Sequence, residues 1–461
     1  VPQGTDGQVT MTRSRRGRAA AVQPDKASPR APGGWRRWLW QDGTLFLAAL
    51  LVRLVLWALW LQAQGSRGGL ELGTLADSIV AGDGFRWNFY GTEQPPGDPV
   101  PRLSFFPPFY PGLLALAKLT VGEGWGTAVQ LVQIVCGSAL PLVVRRLATR
   151  LLRDELAWVT AWLAVVWPPF VFYTSELFPV TFHTLGVPAA LLLLISQRHA
   201  PRLWPAALKI GALYGLLAYS LPSFLGSLVL MPLGLRGAGT SWRRAVALPL
   251  ASLGVALVLL APWTVRNAVV QGRFVPVATN LGFNFAGANN PYSRPDTNVL
   301  CAKDNIRWQV VDRRALETMN EADFDRMLLR QGLSYMAAHP GRTLKRIGTR
   351  ILYYWWTIPD MLRYNHLQGL GGVVLMSVLT PLALTGAIVA WRRRRRAPYA
   401  VLLAACGWMT LFYMNFAVRG RYSLAIHPVM LILAVLAVAW LAARRQPGDG
   451  IERPGGSSPV T

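Results

Sequence analysis

The chain has 461 residues, 52% of them hydrophobic and 15% charged, with 19 tryptophans, which is more apolar surface than one water-soluble core of this length would need. Repeated runs of roughly 18 or more apolar residues, each able to cross a hydrocarbon layer of about 30 Å, identify an all-α polytopic membrane protein and exclude a soluble one. The net charge of +25 would suit nucleic acid, but the basic residues gather in short connections between apolar runs, where the positive-inside rule puts them, so no nucleic-acid partner is expected.

Residues 1–40 are rich in Arg, Ala, Pro and Gly and lack an apolar core segment, which predicts a disordered basic cytoplasmic tail and not a cleaved signal peptide. An N-terminal transmembrane module follows over 41–264, beginning with a span near 44–63 and including a first outer loop over 64–125. In that loop GGLELGTLADSIVAGDGF carries Leu70, Leu75, Ile79 and Val80 at near-helical spacing, with Gly82 and Gly84 as a stop, predicting a helix on the outer surface. Glu71 stands at its start, at headgroup level. Its carboxylate could act as a general base or simply favour the helix macrodipole.

The next run, FFPPFYPGLLALAKLTVG from Phe105 to Gly122, has the composition of a span but is short after its proline pair and carries Lys118. Charge decides between the readings. If the run crosses the membrane, every later basic cluster falls outside; if it lies in the interface or re-enters, every cluster falls in the cytoplasm. The second choice predicts ten spans, near 44–63, 126–144, 156–174, 177–195, 204–220, 222–236, 245–264, 369–391, 399–416 and 422–443, with both termini cytoplasmic. An outer loop region then occupies 265–368, C-terminal transmembrane helices 369–445, and a second disordered cytoplasmic tail 446–461.

Polar residues inside or beside these spans need partners. Arg53 sits near the middle of the first span, where an unpaired charge is costly; Asp77 and Glu176 are its candidate counter-ions. Glu176, at an outer turn, could instead meet an acceptor or a metal. His183 and His427 are lone histidines on apolar faces and read as packing residues. Three cysteines, Cys136, Cys301 and Cys406, lie far apart and form no disulfide framework or CxxC metal site.

The stretch from Leu260 to Pro291, LAPWTVRNAVVQGRFVPVATNLGFNFAGANNP, places Arg266, Asn267, Asn280, Asn284, Asn289 and Asn290 just beyond the water boundary. Such an amide-rich surface suits a sugar or a phosphate. Arg266, Arg419 and Arg421 all fall at outer ends of spans, where a guanidinium can bind phosphate bidentately or anchor its span at the headgroups. Downstream, Met327, Leu328, Leu333 and Met336 recur at helical spacing and predict a small outer cap. Tyr353 to Trp356 read as an interfacial belt, with sugar stacking as the other use. Glu71, Asp77, Asp83 and Glu176 could offer oxygens to a divalent cation such as Mg or Mn, though no spacing requires one. No glycine-rich dinucleotide motif or strand-end DxD is present.

The pattern of Glu71, Gly73, Ala76, Ser78, Ile79, Gly82, Gly84 and Phe85, followed by Pro108, Tyr110 and Pro111, resembles the first outer loop of polyprenyl-phosphate-dependent glycosyltransferases with the GT-C fold. The resemblance is to the family 39 type, related to protein mannosyltransferases and the lipid A aminoarabinose transferase. Ser175 to Phe178, Pro262 to Asn267, Val275 to Gly282, His339 to Arg342 and Arg421 to Pro428 follow in that family's order, and the similarity covers about residues 44 to 443. It implies inverting transfer of a sugar from a polyprenyl phosphate to a lipid, glycan or protein acceptor at the outer membrane face. The family's catalytic carboxylate in the first outer loop maps onto Glu71. The phosphate-binding role then falls to Arg266, Arg419 and Arg421, with Asp77, Glu176, Asn267, Asn289 and Asn290 as polar partners of substrate or structure.

A transporter or lipid-linked sugar flippase is the competing class. Transporters commonly place broken, polar helices at the midplane of repeated halves. Here the polar residues collect in two outer segments, and no internal repeat is found.

Overall fold

The computed structural model describes residues 40–64, 70–87, 102–295, 298, 300, 309–356, 366–392 and 398–445. The predicted tails, apart from Trp40, and Cys301 lie outside the described residues. Within them the named elements are helices, and the β contact is an isolated bridge between Trp87 and Arg102, as expected where lipid cannot satisfy backbone polar groups.

In chain order the first half contains α1 (Asp42–Gln64), α2 (Leu70–Val80), α3 (Phe109–Val121), α4 (Trp125–Ala148), α5 (Asp154–Val166), α6 (Pro168–Ser175), α7 (Val180–Gln197), α8 (Leu203–Ala218), α9 (Pro222–Leu225) and α10 (Met231–Gly237). The second half contains α11 (Trp242–Gln271), α12 (Leu281–Ala288), α13 (Arg313–Thr318), α14 (Glu321–Ala338), α15 (Pro340–Trp356), α16 (His366–Arg392), α17 (Tyr399–Tyr413), α18 (Gly420–Ser423) and α19 (His427–Arg445). Among the described residues, six helical stretches are long and apolar enough to cross a membrane, or seven if α5 and α6, bent by 42°, form one span; α8 and α17 are shorter apolar helices. Each predicted span falls on a helix or on a broken helix.

The run after Phe105 forms its own short helix, α3, of 13 residues. By composition Phe109–Ala148 could pass as one 40-residue span, yet the Tyr110 hydroxyl donates to Gln133 Oε1 at 2.8 Å. Straight helix would separate residues 23 positions apart by about 34 Å, so α3 doubles back along α4. The reversal occurs at Gly122, whose φ of +68° suits glycine. α2 packs on α3 through an ion pair between Asp77 and Lys118. Lys118 also lies 4.3 Å from the Trp125 ring centroid, which accounts for a cation in an apolar helix.

With α3 folded back, the helix ends sort by charge. Arg145 Nη1 donates to Asp42 at 2.9 Å and Arg145 Nη2 lies 3.5 Å from Asp154. Tyr399 donates to Leu151 O at 2.7 Å, and Arg244 to Gln197 O and Arg202 O at 3.4 Å. These contacts join the starts of α1, α5, α8, α11 and α17 and the ends of α4 and α7 into one basic end. The long loops occupy the other.

Two expectations are corrected. Arg53 is fully buried, but it does not pair with Asp77 or Glu176; its Nη1 donates to Ala49 O at 3.0 Å and to Val165 O at 3.5 Å. Pro169 has no N–H for Val165 O, so the break between α5 and α6 frees the carbonyl that Arg53 takes. Nε and Nη2 of Arg53 have no hydrogen-bond partner. The second correction concerns α11, which continues to Gln271, about two turns beyond the predicted span. Arg266 and Asn267 therefore project from helix and not from loop.

The two outer segments share a second core. Leu75, Trp87 and Phe105 from the first pack with Phe283, Ala286, Leu300, Val310, Val311, Leu316, Phe324 and Leu328 from the second. Close packing of α12 on α14 depends on glycine: a Cβ at Gly282 would lie 1.7 Å from Asp325 O, and one at Gly332 2.6 Å from Phe285. Leu328 is buried as its spacing predicts, whereas Leu333 is half exposed.

Candidate active site at the loop-bearing end

Buried polar bonds set the platform. Glu321, first residue of α14, accepts from the backbone N–H groups of Leu103 and Ser104, from Gln271 Nε2 at 2.8 Å and from the Thr279 hydroxyl. Asn267 donates to Val275 O and Val277 O at 3.4 and 3.0 Å and accepts from Ser104 Oγ at 3.1 Å. Arg266 Nη1 donates to Leu103 O at 2.6 Å and to Asn267 Oδ1 at 3.0 Å. Its guanidinium lies 4.9 Å from the Trp263 ring centroid and 5.5 Å from that of Phe85. The end of α11, the first outer loop and α14 are thereby tied together.

Asn289 and Asn290 are buried and hydrogen-bonded within the protein. Asn289 Nδ2 donates to Phe285 O and Asn415 O, and its Oδ1 accepts from Arg350 Nη1 at 3.0 Å. Asn290 Nδ2 donates to Ala286 O and Gly287 O while Oδ1 accepts from Tyr292 N. Arg350 also donates to Ala288 O, a cation at the C-terminus of α12, where the helix dipole favours it. Burial, reinforced by Arg346, pushes Arg350 down to about 10.

A second cluster brings the strongest sequence candidates together. Glu71, in the first turn of α2, keeps an exposed face but is recessed among protein atoms. Burial raises its carboxyl above the ordinary range, and the charge of Arg421 opposes that rise. The Arg421 guanidinium lies 4.9 Å from the Phe178 ring centroid and 5.7 Å from that of Tyr422. Phe178 follows Glu176 in the turn between α6 and α7. Glu176 in turn lies near Tyr110, whose phenol is pushed up by burial first and by that carboxylate second.

The turn is held from α4. Gln130 Nε2 donates to Ser175 O at 2.6 Å, and Gln133 Nε2 to Thr174 O at 3.1 Å and Glu176 O at 2.7 Å. Trp57 donates to Gln130 Oε1 at 3.0 Å. Gln130 and Gln133 were not singled out in sequence. The available signal was two glutamines three residues apart in an apolar helix, on one face and costly to bury unbonded.

Arg421 is positioned from the other side. His427 accepts from Trp167 Nε1 at 3.3 Å, so its second nitrogen carries the proton toward Ser423 Oγ at 3.2 Å, and Ser423 donates to Gly420 O at 3.0 Å. Tyr422 stacks on Tyr413, with ring centroids 4.9 Å apart, and Tyr413 stacks on Tyr354 at 5.6 Å. Arg419 is the half-buried residue preceding α18.

No group of three or more His, Cys, Asp or Glu side chains able to hold a metal forms among the described residues. Asp77 is committed to Lys118, leaving Glu71 and Glu176 as the carboxylates of the cluster. This arrangement combines a recessed carboxylate with a guanidinium over aromatic faces. It can take up a proton and hold an anion side by side.

The chain matches no family model and no curated protein sequence. It does match solved structures of the oligosaccharyltransferase of Archaeoglobus fulgidus. The apo form is 16% identical with a TM-score of 0.53, covering 88% of this chain and 51% of that one. The complex of that archaeal oligosaccharyltransferase, AglB, with an inhibitory peptide and a dolichol-phosphate is 15% identical with a TM-score of 0.51, covering 89% and 51%. A complex with Zn and sulfate is 17% identical, also at 0.51, covering 87% and 49%. The chain spans about half the length of these structures. The likeness shows the GT-C fold in a membrane-embedded protein, and it supports that fold without singling out family 39.

Proposed function

We propose that the protein is an integral membrane glycosyltransferase that moves a sugar from a polyprenyl-phosphate donor to an acceptor at the loop-bearing face, with inversion. What supports this reading is a fold whose solved examples include one with a dolichol-phosphate, together with Glu71 in the first turn of α2 within electrostatic reach of Arg421 from the far end of the chain. The acceptor hydroxyl or amide gives its proton to Glu71 as its oxygen or nitrogen bonds to the anomeric carbon. The bond from that carbon to the donor phosphate breaks, and its electron pair leaves on the polyprenyl phosphate. Arg421 would hold the developing charge, and a guanidinium is suited to phosphate geometry. Arg419 and Arg266 are secondary phosphate contacts in this reading, Arg266 through Nε and Nη2 because Nη1 is already bonded. If a divalent cation takes part, Glu71 and Glu176 are the side chains that would hold it, and it would neutralise phosphate charge.

The purified protein should consume a polyprenyl-phosphate sugar and leave nucleotide sugars untouched. Turnover of a nucleotide sugar in lipid-free detergent would reject the donor assignment, and solute movement across liposomes without glycosidic bond formation would favour the transporter reading.

The loop-bearing end faces outward in this proposal, with the basic end cytoplasmic. In a chain whose own three cysteines are replaced by alanine, an impermeant thiol reagent should label Asp83→Cys in intact cells and leave Arg150→Cys unlabelled; both positions are exposed at opposite ends. The reverse pattern would invert the topology and move the reaction to the cytoplasm.

A further inference from the structure

Between α16 and α19, at the basic end, lies a cavity of about 150 Å³, a size that takes a benzene-sized apolar group. The two backbones touch beside it, where a Cβ at Gly386 would lie 1.9 Å from Leu433 O. The gap is lined by Thr385, Ile388, Val389 and Trp440, with the exposed Arg392 and Arg444 at its edge. Ile388 is 54% exposed, so the cleft is open to the lipid-facing surface. The Arg444 guanidinium rests 4.0 Å from the Trp440 ring centroid, which holds it at the edge. Neither Arg392 nor Arg444 has a carboxylate partner among the described residues.

We propose that this cleft binds an anionic phospholipid, with the phosphate between Arg392 and Arg444 and the upper part of one acyl chain against Thr385, Ile388 and Val389. Two guanidiniums with no carboxylate partner among the described residues attract a net negative headgroup and disfavour one that carries its own cation. The apolar wall beneath them gives a methylene chain a place that inorganic phosphate could not use. This site is at the opposite end of the bundle from the Glu71 cluster and does not depend on the proposed transfer reaction.

The test is native mass spectrometry of the full detergent-purified chain equilibrated with phosphatidylglycerol, phosphatidylcholine or inorganic phosphate. Phosphatidylglycerol should be retained in preference to phosphatidylcholine. The Arg392→Gln and Arg444→Gln double variant should lose that retention by roughly 10-fold or more. Thr385→Phe, which fills the cleft and keeps both arginines, should lose it too. Equal retention of the two lipids, or undiminished retention by the double variant, would overturn the proposal. Retention unaffected by Thr385→Phe would reduce the site to headgroup attraction on an open surface, and displacement of lipid by millimolar inorganic phosphate would reduce it to a phosphate site; either defeats the lipid assignment.

Discussion

Replacing Glu71 by glutamine should lower turnover by roughly 10²-fold or more while leaving folding and donor binding in place, because the change keeps size and hydrogen-bonding capacity and removes only the proton-accepting charge. The pH profile gives a second readout. Burial holds the Glu71 carboxyl above its ordinary value, so as pH falls the base is lost sooner than an unperturbed carboxylate would be. The acid limb of kcat/KM in the native enzyme should therefore lie above the usual carboxylate range. In the glutamine variant the residual activity should lack that limb. Near-normal turnover of Glu71→Gln at saturating acceptor would place the base elsewhere, and Glu176, the other carboxylate of the cluster, would be the next residue to test.

Arg421→Gln should act on both substrates' chemistry at once. Loss of a charge-assisted phosphate contact, about 1.5–3 kcal/mol, corresponds to roughly 10- to 100-fold in kcat/KM. Arg421 also opposes the rise in the Glu71 carboxyl pKa. Without that cation the charged form of Glu71 is less favoured, its pKa climbs further, and the acid limb moves to higher pH. A residue that merely anchored its helix at the headgroups would lower activity without moving the limb. An unchanged limb together with an unchanged KM for the donor would exclude Arg421 from the site.

Much of this arrangement was legible beforehand, and the exceptions have physical causes. The helix over Leu70–Val80 and its glycine stop followed from local periodicity: Gly82 and Gly84 do adopt positive φ, at 85° and 73°. The decision that the run after Phe105 does not cross rested on the charge of loops far from it; the Tyr110–Gln133 bond shows that this run and the helix after it are two antiparallel helices. The partner of Arg53 could not be found in the same way. Searching for a carboxylate pointed to Asp77 and Glu176, while the acceptor was a backbone carbonyl released by a proline in another helix. The amide-rich stretch from Asn267 to Asn290 was legible as a polar surface. Its use was not: Asn267, Asn289 and Asn290 are buried and bonded to backbone groups, bracing the outer segments.

Composition and loop charge by themselves determined that this is a helical membrane protein whose basic connections share one end, because hydrophobic run length and the sign of connecting segments are properties of the chain read in one dimension. Glu71 and Arg421 could be named from local pattern for the same reason. Only the tertiary structure decided that those two come within electrostatic reach, that Gln130 and Gln133 hold the turn bearing Glu176, and that Glu321 joins both outer segments under one small core. Each of these depends on hydrogen bonds and charges between residues far apart in sequence. Such pairings are chosen by the packing of whole helices, and no local pattern encodes which distant carbonyl or carboxylate a given side chain will face.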